Sequence, residues 1–357
     1  MKFLRRLLDD LGNRLERNKF LKKIKPIWLA SDEFFFGTDK VARPIPHIVD
    51  YIDIKRYMSF VVIALLPVVI ASIYFWGLRV ISIILVSYIF GGITEVIFAI
   101  VRKKEIHEGF LVTGLIFPLI LPPTVPLWVV AVGVVFGVMF GKEMFGGTGR
   151  NIFNPAIVGR IFLTVAFPNI MTSNWQAPFS QGLGGLVKFS ADAITSATPL
   201  ALFKNEKITT DILSMFLGGV PGCIGETFRL GIIIGGIFLI LTKISNWRLP
   251  LSYLIFLAIF SVLGNHFVSE KIALPLSQIL SGGFLFGACF MVTDPVTSPF
   301  TKAGKWIAGL LLGLTTVLIR GLSGYVEGVM FSILLVNALA PLIDRIILDL
   351  KYKRIVR

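Results

Sequence analysis

The residues best placed to do chemistry lie in Asp192-Ala-Ile-Thr-Ser-Ala-Thr-Pro-Leu200, a short polar run near the middle of a 357-residue chain that is otherwise mostly apolar. Within it, Asp192, Thr195, Ser196, Ala197 and Thr198 follow the spacing Asp-x-x-(Ser/Thr)-(Gly/Ser)-Ala-Thr. The last hydroxyl, on Thr198, suits an acceptor for a transferred group. Small Ser196 and Ala197 clear the approach of a bulky donor, and Asp192 can bind the metal of a transferring enzyme or orient the loop. The plainer reading is a polar turn in which Pro199 simply holds Thr198 extended. The surroundings must decide between the two.

Those surroundings are membrane. Hydrophobic residues make up 55% of the chain, and the mean hydropathy is +0.81. A soluble domain averages about 45–50% apolar even with glycine counted. The 31 Phe and 34 Gly fit packed spanning helices, where small residues bring backbones together and aromatics fill the gaps. The net charge of +14 sits at the chain ends and beside apolar segments, which points to anionic lipid and topology and away from nucleic acid. Two cysteines, Cys223 and Cys289, and three histidines, His47, His107 and His266, show no metal-ligand spacing, so neither a protein-coordinated metal nor a disulfide framework is expected. The first long apolar run begins only near Met58, with no cleavable signal peptide before it.

The expected fold is an all-α integral membrane protein of about ten transmembrane helices, some broken or half-length, in two weakly repeated halves. Residues 1–56 form a basic cytoplasmic segment whose first 25 residues, with nine Lys and Arg among Phe3, Leu4, Leu7, Leu8 and Leu11, read as a helix lying on the lipid surface. A membrane domain over residues 57–347 follows, then a basic tail over 348–357. Spanning candidates, judged against the roughly 20 apolar residues a bilayer requires, are 57–76, 79–101, 110–121, 126–144, 155–169, 213–223 with its extension, 227–245, 249–267, 273–293, 305–320 and 327–347. Several are too short to cross alone and stop at Pro122-Pro123 or Pro221-Gly222, so one or two are joined or re-entrant. Basic residues at both ends and at Arg102-Lys103-Lys104 place both termini in the cytoplasm and the 167–212 loop outside. The repeat is read from Phe110-Leu-Val-Thr-Gly with Pro122-Pro-Thr-Val-Pro126 and Gly146-Gly-Thr-Gly149, answered by Gly282-Gly-Phe-Leu-Phe with Asp294-Pro-Val-Thr-Ser-Pro299 and Gly321-Leu-Ser-Gly324. Paired interrupted halves of this kind place a site near the bilayer midplane.

Three further blocks carry a resemblance. They are Val101-Arg-Lys-Lys-Glu-Ile-His-Glu-Gly-Phe-Leu-Val-Thr113, then Gly141-Lys-Glu-Met-Phe-Gly-Gly-Thr-Gly-Arg-Asn-Ile-Phe-Asn-Pro155, then Gly287-Ala-Cys-Phe-Met-Val-Thr-Asp-Pro-Val-Thr297 followed by Gly304-Lys-Trp306. The Asp192–Thr198 pattern resembles the motif at which a flavin transferase esterifies the last threonine with the phosphate of FMN. In this order, the four stretches closely resemble the NqrB family, membrane subunits of the sodium-pumping NADH:quinone oxidoreductases, over about residues 47 to 347. The RnfD family, from the Rnf ferredoxin:NAD oxidoreductases, is a related second candidate. The connection between the first two spans is much shorter here than is typical of NqrB, which moves the chain somewhat toward the Rnf relative.

The resemblance implies FMN covalently held on Thr198, with Asp192 and Ser196 in its motif, riboflavin held non-covalently and a quinone site, in a bacterial inner membrane. Riboflavin contacts fall on Asn151 and Asn154, beside a loop opened by Gly146, Gly147 and Gly149. The alternative is that Asn154-Pro155 simply starts the next helix as cap and first residue. The quinone falls on Gly91-Gly92, where glycines equally serve close helix packing. Ion coupling needs carboxylates in low dielectric, and the candidates are Glu95, Glu143, Asp294 and Asp344. Glu95 stands only about two turns before Arg102 and so also reads as merely reaching the interface, and Asp344, followed by Arg345, also reads as an interfacial ion pair. Asp294, at the end of a Gly-rich segment where the helix must break, is the strongest.

No Gly-x-Gly-x-x-Gly follows a strand, and no cysteine cluster is present, so NADH oxidation and any iron–sulfur relay belong to partners. The implied partners are an NADH-, FAD- and iron–sulfur-bearing subunit, a second FMN subunit, small membrane subunits and the flavin transferase, with quinone and Na+ as substrates. A plain solute channel and a scaffold with a vestigial motif are the rival readings. Thr198 discriminates, since a channel has no use for a flavin-attachment sequence in an external loop.

Overall fold

The structure, a computed structural model, describes residues 54–103, 109–172, 175–178 and 196–353. The surface helix expected within residues 1–25 and the last basic residues of the tail lie outside these. All elements among the described residues are helical. In chain order they are α1 (Ile54–Trp76), α2 (Arg79–Arg102), α3 (Gly109–Leu119), α4 (Leu127–Gly141), α5 (Pro155–Ala166), α6 (Pro168–Thr172), α7 (Pro199–Glu206), α8 (Ile212–Leu217), α9 (Arg229–Leu241), α10 (Arg248–Phe267), α11 (Pro275–Leu280), α12 (Phe284–Phe286, continued by a π turn at Gly287–Met291), α13 (Lys302–Leu322) and α14 (Val329–Lys353). The helices α1, α2, α4, α10, α13 and α14 are long and apolar enough to cross a membrane, while α3, α5 and α9 are shorter apolar helices. The expected span at 213–223 is not one. It folds as the six-residue α8, which ends at Gly218 in the left-handed region, with Pro221 close behind. Only Gly77 and Leu78 separate α1 from α2, the short connection seen in the sequence.

Two halves, α1–α5 and α9–α14, pack alike. In the first, α2 lies against α3 and α4, and α4 against α5. In the second, α10 lies against α11 and α13, and α13 against α14. The halves meet where α1 runs antiparallel to α9. Tyr57 Oη at the start of α1 donates to Ile244 O beyond the end of α9 (2.5 Å), and Trp76 Nε1 at the end of α1 donates to Thr227 Oγ1 ahead of α9 (3.0 Å). The second half therefore runs through the membrane in the opposite sense. One face of the bundle gathers Lys142, Asn151, Asn154 and Asp294; the other gathers Arg160, Thr198, Cys223 and Glu327.

Glycine sets the close crossings. A Cβ at Gly141 would lie 2.8 Å from Pro155 Cα, and one at Gly159 would lie 2.6 Å from Gly133 O, so α4 and α5 touch backbone to backbone. Gly313 does the same for α13 on α10, where a Cβ would come 2.7 Å from Leu257 N. Helix interruptions are finished from other elements. Leu121 O, beyond α3, accepts from Ile224 N (3.0 Å), and Arg79 donates to Pro123 O (3.1 Å) and Val125 O (2.9 Å). In the second half, Arg229 Nε donates to Leu280 O (3.0 Å), and Arg320 donates to Gln278 O (2.7 Å) and Ser281 O (3.0 Å).

A side chain at the α1–α9 crossing has no room, because a Cβ at Gly235 would collide with the Ala64 carbonyl oxygen, whereas Gly324 has open space around it. Gly235→Ala should destabilise the protein by about 1–3 kcal/mol, and Gly324→Ala should stay within about 0.5 kcal/mol of the parent. Unfolding of the detergent-solubilised protein measures both.

Candidate functional site

Two clefts, one near each face, receive Thr198, Asn151, Asn154 and Asp294 from among the residues singled out by the sequence. In the first, Thr198 is the N-cap of α7. It is extended (φ −68°, ψ 155°) with Pro199 as the first helical residue, and its hydroxyl accepts from Ala201 N at a long 3.3 Å. The polar-turn geometry is thus present, and it presents the hydroxyl at the edge of a cleft. Ser196 N donates to Trp175 O (2.9 Å), which draws the motif against that tryptophan. Asp192 and Thr195 lie outside the described residues. The cleft, about 820 Å³ including its open mouth, is lined by Thr198, Trp175, Tyr325 and Phe331 and by the ionisable side chains of Arg160, Cys223, Glu226 and Glu327.

The polar floor of this cleft is tightly organised. Glu226 accepts from Cys223 N (2.7 Å). Glu327, in the connection between α13 and α14, accepts from Arg320 (3.1 Å) and from the amides of Gly283, Gly328 and Val329 (3.0 Å each). Burial works to raise the Glu327 carboxyl, but Arg320, the Val329 amide, the charge of Arg160 and the Gly283 amide outweigh it and hold it below the usual carboxylate range. Arg160 Nη2 donates to Cys223 Sγ (3.3 Å), while its Nη1 is buried without a hydrogen-bond partner.

The second cleft lies between the halves and is lined by residues of α1, α3, α9 and α12 and of the loops around them, among them Tyr57, Thr113, Ser245, Thr293 and Asp294. Lys142, Asn151 and Asn154 border it too, and it encloses about 720 Å³ including its mouth. Asn154 Oδ1 accepts from Ala156 N (3.0 Å) and caps α5, with Pro155 following, so the capping role holds while the residue also borders the cleft. Asn151 Nδ2 donates to Phe153 O (3.0 Å). The preceding loop turns through Gly146, Gly147 and Gly149, all at positive φ (114°, 96° and 85°), a path that favours glycine. Ser245 Oγ is buried beside this cleft with no partner, the kind of orphaned polar atom that a polar ligand satisfies.

Gly91 and Gly92 face different surroundings. A Cβ on Gly91 would come 3.1 Å from Val134, so this glycine seats α2 on α4. One on Gly92 would rest 3.8 Å from Phe110, in ordinary contact.

Each of the four carboxylate candidates has a partner. Glu95 forms an ion pair with Lys142, at 5% and 3% side-chain exposure. Glu143 pairs with Arg102 (3.0 Å). Asp294 accepts from Val296 N (3.1 Å) and Thr297 Oγ1 (3.0 Å). Asp344 accepts from Phe300 N (2.8 Å), Thr301 N (3.1 Å) and the Thr301 hydroxyl, pinning α14 to the start of α13; it makes no ion pair with Arg345. The sequence reading did not single out Lys142 for a role, nor Arg160, Arg229, Arg320 and Glu327. Their signal was available: charges embedded in or abutting apolar runs.

A model of the NQR2, RnfD, RnfE family matches residues 41–353 of the chain. Among curated proteins, the B subunit of the Na(+)-translocating NADH-quinone reductase of Pseudomonas paraeruginosa is 35% identical over 406 aligned residues, covering 98% of each chain. The proteins of the same name from Klebsiella pneumoniae and Yersinia pestis are each 34% identical, again over 98% of each chain.

The buried Lys142–Glu95 pair gives a direct test of the second cleft's wall. Lys142→Met strands the Glu95 carboxylate and should cost about 3–5 kcal/mol, and adding Glu95→Gln should recover most of it. A thermal-unfolding double-mutant cycle in detergent measures the coupling.

Proposed function

The chain belongs to the NQR2, RnfD, RnfE family, and from that premise we propose that it is the redox-carrying membrane subunit of a Na+-translocating NADH:quinone oxidoreductase. Thr198 carries FMN through a phosphoester, riboflavin occupies the cleft of Asn151 and Asn154, and quinone is reduced beside Gly91-Gly92. The observation that carries this reading is the sharing of α5 by both clefts. Asn154 and Pro155 border one, and Arg160, Ile161 and Thr164 line the other. From Asn154 to Arg160 is six residues, about 9 Å along a helix axis. Two ligand clefts near opposite faces, separated by so short a length of protein, suit electron transfer across the membrane.

The residues present fit such groups. Trp175, Tyr325 and Phe331 offer apolar rings to a flat heterocycle beside the acceptor hydroxyl, and Ser245 and Arg160 Nη1 are buried polar atoms in want of a partner. Bound there, a flavin supplies one- and two-electron chemistry; the protein's share is to position it and tune its surroundings. Thr198 presents its oxygen where α7 begins, so a phosphate on it would lie at the N-terminal end of that helix. Asn151 and Asn154 offer amides to a polar ring edge.

We assign ion coupling to carboxylates of the Lys142 face: Asp294 at the cleft, Glu95 through Lys142, and Glu143 and Asp344 beyond them. Exposed Lys103, Arg150, Lys302, Arg345 and Lys351 on that face support its being cytoplasmic in a bacterial inner membrane. NADH oxidation then falls to partner subunits, and attachment of FMN to a flavin transferase.

In-gel ultraviolet fluorescence of the denatured full chain, co-expressed with a flavin transferase, tests the attachment. The parent and Thr198→Ser should fluoresce and Thr198→Val should not, with the variant still folded. A dark parent band beside an active transferase would overturn the reading. For the second cleft, Asn151→Leu should lower the non-covalent riboflavin released by acid at least several-fold while leaving the fluorescent band unchanged.

A further inference from the structure

Arg160 is buried to 7% exposure in the middle of α5 and lines the Thr198 cleft. A cation in that position is expensive unless something answers it. Among the described residues it has no ion pair within 4.0 Å, and the one hydrogen bond of its guanidinium tip goes to Cys223 Sγ, a weak acceptor. The cleft's two carboxylates are engaged elsewhere, Glu327 with Arg320 and three amides, Glu226 with Cys223 N. Nη1 is left bare. The charges of Glu226 and Glu327 act on Arg160 without bonding to it, and its free, buried donor remains available to an acceptor in the cleft.

That acceptor must come from what Thr198 holds, so the inference rests on the flavin-attachment reading above. The phosphate of such a group would sit beside Thr198 at the start of α7. The ring is the other place where negative charge appears, at N1 and the C2 carbonyl when it gains an electron. We propose that Arg160 binds this pyrimidine edge through Nη1 and compensates the charge of the reduced ring. If a redox centre of a partner subunit passed one electron to such a ring, the guanidinium would balance the added charge with no proton transferred. Arg160 is thus a positioning and tuning residue that favours the reduced flavin, with Cys223 fixing the other guanidinium nitrogen.

The test uses the full-length chain carrying covalent flavin. Arg160→Gln should keep the fluorescent band but lose about tenfold or more of its preference for the reduced form, the effect of losing a charge-assisted hydrogen bond, which is a drop of ~59 mV or more in a one-electron midpoint. Arg160→Lys, which keeps the charge without the fork, should recover part of the drop. A second measurement needs no variant: in the parent protein, flavin labelled with ¹³C at C2 should show its carbonyl stretch shifted down by the hydrogen bond. An unmoved midpoint in a fluorescent Arg160→Gln protein, or an unshifted C2 carbonyl in the parent, overturns the role of Arg160 alone. A parent without covalent flavin overturns the attachment itself, and this proposal with it.

Discussion

A helix that stops inside a bilayer leaves amides or carbonyls with no water to receive them, and this constraint governs the structure. Each interruption is answered by a polar or charged group from another element. Arg79 covers carbonyls after α3, and Arg229 and Arg320 cover those at the end of α11. Carboxylates take the amides: Asp344 at the start of α13, Glu327 at Gly283 and at the start of α14. The signs follow the helix dipole, cations at carbonyl ends and anions at amide ends. The halves are held in register by these reciprocal caps as much as by apolar packing.

The same constraint makes the clefts. Because α3 and α11–α12 are interrupted, the bundle does not close into a solid core, and the space left beside the breaks opens near opposite faces. Inverting one half against the other puts one cleft near each face, and α5 is short and buried enough to wall both. Glycine contacts at Gly141 and Gly159 keep α5 pressed on α4, so the residues it offers to the two clefts are held on one rigid segment. Function, on this view, is placed in the gaps that the broken helices cannot fill.

A carboxylate within an apolar span therefore has two possible employments, and position separates them. Asp344 spends both oxygens on the backbone at the start of α13, and Glu143 is matched by Arg102 near the membrane edge. Asp294 caps its own turn yet borders the cleft, and Glu95 reaches it through Lys142. Arg229 and Arg320 turn their guanidinium nitrogens to backbone carbonyls, although Arg320 Nε is left over, while Arg160 covers no carbonyl and its Nη1, beside a cleft, is bare.

The class, the order of apolar segments, their breaks at proline and glycine, and the family are all legible along the chain, because hydropathy and short motifs are local properties. So are Thr198 before a proline and Asn154 at a helix start, since capping depends on neighbours in sequence. The segment 213–223, too short to cross alone, reads with an extension as a spanning candidate, but Gly218 and Pro221 end its helix after six residues. Which charges meet is a matter of three dimensions. Lys142 finds Glu95 across 47 residues, Asp344 finds Thr301 across 43, and Arg160 finds Cys223 across 63. Such pairings arise from how two inverted halves stack, and no pattern along the sequence encodes them. The bare nitrogen of Arg160 is likewise a property of the packed cleft: Glu226 is held by the Cys223 amide and Glu327 by Arg320 and three amides, and neither carboxylate bonds to it.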